Sequence, residues 1–169
     1  MLTSTPVQTT YDQYQLAGQV GMPATMSGWD IDTRIAEDPA GTGIGFGLAV
    51  CQGAATDKSA TLGQLSGGGF VGITRADPTL ANVDSALTDK YIDTDNMAVL
   101  ISGDIWVAPA TEVAAGGAVY FDSVTGELGD STVDNAVEIP DAKWMTSVPM
   151  TNDLVRLANL AVVRLGQAP

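Results

Sequence analysis

A chain of 169 residues, 45% of them apolar, is long enough for one domain with a substantial core, and its apolar runs are too short to cross a bilayer. With 20 acidic residues against 7 basic ones, the formal net charge of −13 excludes a nucleic-acid partner, because no basic stripe offsets repulsion by phosphates. Histidine is absent and Cys51 is the lone cysteine, which excludes a histidine-assisted nucleophile and an intrachain disulfide, and removes the commonest zinc ligand.

Residues 1–30 differ from the rest. "TSTPVQTTYDQYQLAGQVGMPATMSG" is rich in Thr, Gln, Gly and Pro and has neither a helical nor a strand period. The first residues, "MLTSTPVQTTYDQYQ", lack the basic and apolar regions of a secretory signal, and the lone cysteine fits folding in a reducing cytoplasm. A segment of this composition cannot build its own core, yet it carries Val7, Tyr11, Tyr14, Leu16, Met22 and Met26, with Trp29 just beyond. Such side chains are interface anchors, so residues 1–30 read as an extended arm that docks on a partner rather than as a frayed terminus.

From residue 31 to 169 the chain is a series of short strand candidates separated by turn residues. "IDTRIA" alternates and ends in "EDPAG". In "GTGIGFGLAV" no register supplies the third glycine of a dinucleotide-binding loop. Its period of two instead predicts a strand, with Ile44, Phe46 and Leu48 in the core and another backbone lying over Gly43, Gly45 and Gly47. "TLGQL" and "FVGITR" follow on either side of "SGGG". In "DPTLANVDSALTDKYI" the spacing of Leu80, Val83 and Leu87 predicts one short helix at most. "DNMAVLISGDIWV" predicts a strand with Met97, Val99 and Ile101 on one face, a turn at "SGD", and a second strand "IWV". "AVYFD" and "GELG" flank a hairpin connection, "SVTG". "AVEIP", "AKWMTSV" and "LANLAVVRL" complete a single all-β domain, a sandwich or barrel.

Little in these residues supports chemistry. Cys51 ends an apolar strand with no basic neighbour in sequence, and so reads as a small buried hydrophobe. Ser66 lacks the glycine spacing of a nucleophile elbow. Asp93, Asp95 and Asn96 begin like a calcium loop, but Ala98 stands where the loop needs glycine and no glutamate closes it. Asp30 and Asp32 share a strand face as solvated edge residues do. Trp29, Trp106 and Trp144 read as core or interface anchors. No catalytic, cofactor or metal site is expected, and no enzymatic activity.

The order of the strand blocks carries more. "RIAEDPAGTGIGFGLAV", "GGGFVGITRADPTLAN", "DTDNMAVLISGDIWV", "AAGGAVYFDSVTGELG", "IPDAKWMTS" and "NLAVVRL" together resemble the structural cement, or capsid decoration, proteins of tailed bacteriophages, over residues 34–165. The resemblance implies a jelly-roll-like sandwich or barrel. It also implies a place on the outer surface of the icosahedral head, across junctions between major capsid protein subunits, after synthesis in the host cytoplasm. It implies no enzymatic activity and no cofactor. Residues 1–30 share no pattern with the family, so a grip by the arm is an expectation from its composition alone. A homo-oligomer is expected, a dimer ahead of a trimer because isologous dimers are the commonest closed assembly. The alternative is a carbohydrate-binding β-sandwich module on a virion surface.

Overall fold

The computed structural model describes residues 18–26, 28–64, 68–77, 89–148 and 160–166. The elements within them are all strands: β1 (Asp30–Glu37), β2 (Ile44–Gly45), β3 (Ala49–Gln52), β4 (Ser59–Leu62), β5 (Phe70–Thr74), β6 (Lys90–Tyr91), β7 (Asn96–Val107), β8 (Ala118–Asp122), β9 (Leu128–Gly129), β10 (Ala136–Trp144) and β11 (Ala161–Leu165). The expected all-β architecture is present, and barrel and sandwich are merged in it. Strands β1, β4, β3, β5 and β7 pair in that order, and β1 also pairs with β7, so they close into a barrel. From β7 the hydrogen bonding continues through β11, β10 and β8 to β9 as an open antiparallel sheet. Strands β2 and β6 form a small separate sheet.

Strand β7 belongs to both parts. Residues 96–102 pair with β1, while Gly103, Asp104, Ile105, Trp106 and Val107 pair with β11. The handover falls at Gly103, whose φ of +118° suits glycine and few other residues. A Cβ there would stand 2.7 Å from the Cβ of Trp29. The expected "SGD" turn is therefore a bend inside one strand. Gly and Asp in succession resemble turn chemistry in sequence, but here the glycine lets a continuous strand change partners.

Two cores follow from this sharing. Ala36, Val50, Ala60, Met97 and Val99 fill the barrel with the half-buried Val71, so every strand of the ring contributes. These side chains are mostly small, as the interior of a narrow barrel requires. Ile44 and Tyr91 of the small sheet join that cluster, and the Tyr91 hydroxyl donates to the Arg75 carbonyl at 2.8 Å. The second core lies where the outside of the barrel meets the open sheet. Ala49, Cys51, Ile73 and Leu100 from the barrel strands pack with Phe121, Ile139, Trp144 and Val163. Strand β3 is thus buried on both faces, which explains an unbroken apolar run in place of alternation.

"GTGIGFGLAV" departs from its predicted form. It is not one strand: β2 ends at Gly45 and β3 begins at Ala49. Gly41, Gly43 and Gly47 have φ of +66°, +74° and +71°, so these glycines turn the chain and do not present a bare strand face. Ile44 is buried as expected, whereas Phe46 and Leu48 are half-buried. A Cβ on Gly45 would meet only Leu48 Cδ1, at 3.4 Å; the close approach occurs at Gly47, beneath Val20 and Gly21. "AVEIP" and "AKWMTSV" likewise share one strand, β10. Its register is irregular between Glu138 and Lys143, and Pro140 and the positive-φ Asp141 sit in that irregularity. The helix expected around Leu80, Val83 and Leu87 lies outside the described residues.

Candidate functional site

Residues 18–26 form a strap along the C-terminal half of β7. The Gly21 amide donates to the Trp106 carbonyl (2.7 Å), the Trp106 amide to the Met22 carbonyl (2.9 Å), and the Ala24 amide to the Asp104 carbonyl (2.8 Å). Pro23, which has no amide proton, faces Ile105 between those bonded positions, where the strap loses nothing by it. The Ala76 amide also donates to the Gly21 carbonyl at 2.8 Å. Small residues let the strap lie flat: a Cβ on Gly18 would stand 2.5 Å from the Trp106 indole, and one on Gly21 2.7 Å from the Ala76 nitrogen.

The strap and the residues after it carry the described members of the anchor set. Met22 is 44% exposed, Met26 100% and Trp29 42%. Trp29 is held from two sides, its Cβ against Gly103 and its ring 5.5 Å from the Arg75 guanidinium. Val7, Tyr11, Tyr14 and Leu16 lie outside the described residues.

Beside the strap opens a cleft of about 910 Å³. Thr25 and Gly28 line one wall, Ala115 and Gly116 contribute to its lining, and Lys143, Met145 and Arg164 come from the outer side of the open sheet. Register builds a charged row there. Arg164 stands opposite Asp104 on β7 and opposite Lys143 on β10. Arg164 Nε and Nη2 donate to the two carboxylate oxygens of Asp104 at 2.7 and 2.9 Å. That hydrogen bonding and the carboxylate charge raise the Arg164 pKa and keep it protonated. These residues escaped the sequence reading, since nothing local in the chain signals that three distant strands will align them.

The other candidates take structural roles. Cys51 is fully buried, and burial pushes its thiol up to about 11, far from thiolate reactivity. Asp93 accepts from the Asp38 amide (3.0 Å) and Asp95 from the Ile92 amide (2.9 Å), so both carboxylates brace loops. Asp32 is not merely solvated: it pairs with Arg34 at 2.8 Å and Lys58 at 3.4 Å. Among the described residues no group of three or more His, Cys, Asp or Glu is placed to hold a metal ion.

Over residues 7–166 the sequence matches the family described as Structural cement protein (E217 gp24/Pam3 gp6), so residues 7–30, expected to share no pattern with it, lie inside the match. The chain belongs to that structural cement protein family. The fold agrees with a solved chain from the capsid of Myoviridae phage XM1, at a TM-score of 0.68 and 16% identity, covering 96% of this chain and 99% of that one. No curated protein matches the sequence. A cement protein is a structural component of the phage capsid, and this cement chain is accordingly a virion protein.

Proposed function

We propose that this cement protein decorates the outer surface of an assembled phage head, binding major capsid protein across subunit junctions and stabilising the shell. The observation that carries this reading is the exposure of Met22 and Met26 on a strap fastened to the body by backbone hydrogen bonds, and of Trp29 just after it. Large apolar side chains left exposed on a segment held to the body by backbone hydrogen bonds are what a partner surface can bury. Val7, Tyr11, Tyr14 and Leu16 extend the same grip toward the N-terminus. A molecule that binds the assembled lattice more tightly than free subunits stabilises assembly by mass action, and many symmetric copies add to the effect. The charge of −13 keeps decorated heads apart. No catalytic step, cofactor, nucleic acid or membrane belongs to this role. The cement protein is made in the host cytoplasm and acts as a homo-oligomer, a dimer ahead of a trimer.

Sedimentation of the purified protein with expanded, empty heads should show saturable binding, and isolated shell subunits should bind little. Equal affinity for both overturns the mechanism, because a ligand that does not discriminate between states shifts no equilibrium. A chain that starts at Gly18 tests the arm. Decoration with undiminished affinity by that chain removes residues 1–17 from the grip. A cut at Ile31 is a poorer test, since it also strips Trp106 and Asp104 of their strap hydrogen bonds.

A further inference from the structure

We infer that the cleft beside the strap receives an extended, carboxylate-bearing segment of the major capsid protein; this rests on the decoration role and names what that role binds. The electrostatics of the cleft favour such an occupant. The chain has only 7 basic residues, yet Lys143 and Arg164 stand directly opposite each other on β10 and β11. Like charges in that position destabilise a sheet. Asp104 spends both carboxylate oxygens on Arg164, and Lys143 has no ion pair among the described residues. Asp141 also lines the cleft, so its charged lining sums to neutral on a molecule of net charge −13. An acidic segment repelled by the rest of the surface meets an unspent ammonium here.

The shape of the cleft favours it as well. About 910 Å³ is ample for a few residues of extended chain. Of the lining glycines, Gly103 and Gly166 are covered by Trp29 and Asp141, but the space beyond Gly116 is open, with nothing within 4 Å of where its Cβ would lie. Bare backbone admits another backbone closely. Met145 is exposed beside Lys143, while its amide is already bound to the Val162 carbonyl. The occupant is therefore held through side chains, a carboxylate on Lys143 and an apolar group on Met145, with no strand added to the sheet.

Zero-length carbodiimide cross-linking of decorated heads, read by mass spectrometry, tests the occupant. Lys143 should join to an Asp or Glu of the major capsid protein; joining only to a carboxylate of this chain or of a second copy overturns the inference. Lys143→Glu should weaken head binding about tenfold and flatten its salt dependence, whereas Lys143→Arg should retain both. The melting temperature of Lys143→Glu should hold or rise, because an acid there faces Arg164. Met145→Glu provides an independent variant with the same expected loss. If the wild-type protein does not bind heads, the decoration role itself fails. If it binds and Lys143→Glu binds equally well, the cleft inference alone fails.

Discussion

The barrel and the open sheet bury their strands in different ways. The barrel uses up its edges by closing β1 onto β7, and small residues such as Ala36, Ala60 and Val99 complete its interior. The open sheet buries Phe121, Ile139, Trp144 and Val163 on one face and leaves the other in need of cover. The strap supplies that cover over Trp106, but Lys143, Met145 and Arg164 remain accessible farther across the sheet. A closed ring offers another chain no unpaired edge, whereas an incompletely covered sheet face offers side chains. The closed barrel and the exposed sheet face are thus separate parts that share β7.

The largest expected effect comes from breaking the open sheet's core. Trp144→Ala should cost about 3–5 kcal/mol in denaturant unfolding, as truncation of a large buried aromatic does. Because β7 runs through both cores, unfolding should remain one transition. Two resolved transitions would show that barrel and sheet fold independently.

Gly103→Val attacks the handover itself. Strain at a φ of +118° and the contact with Trp29 should together cost about 2–4 kcal/mol. Thermal melting measures the loss, and the fluorescence of Trp29 should report its displacement. An unchanged melting point would mean that β7 can change partners without this bend.

A smaller effect sharpens the view of the sheet's far margin. Asp122 sits at the hairpin between β8 and β9, where its carboxylate accepts from the Val124 amide (2.8 Å), the Thr125 hydroxyl (2.9 Å) and Asn135 Nδ2 (3.3 Å). Burial opposes its ionisation, but these hydrogen bonds outweigh burial and lower its pKa below the ordinary 3.8. The stabilisation is therefore complete above the unfolded value and is lost as pH falls through the folded one. Asp122→Asn should cost about 1–2 kcal/mol at neutral pH. In acid titrations of stability the two proteins should converge below pH 3.8. Parallel curves would contradict the assignment.

Gly45→Val should change least, within about 0.5 kcal/mol, because a Cβ there meets only Leu48 Cδ1 at 3.4 Å. A melting point lowered by several degrees would reveal a closer neighbour on that side of the barrel.

Much of the fold was legible in the linear chain. Short alternating segments and frequent Gly and Pro specify strands and turns locally, and six blocks in order were enough to point to the cement family. Local pattern failed where burial or backbone geometry had two causes. The alternate glycines of "GTGIGFGLAV" fit a bare strand face and a set of positive-φ turns equally well, and only the folded backbone chose the turns. The "SGD" in β7 failed for the same reason, since a bend and a turn use the same residues. Exposed Met22, Met26 and Trp29 could be picked out from composition. Lys143, Arg164 and Asp104 could not. The sequence by itself determined an acidic, histidine-free, all-β chain with large apolar residues scattered near its start. Only the tertiary structure decided which strands close and which cations become neighbours, because strand pairing and register are long-range choices that no local period encodes.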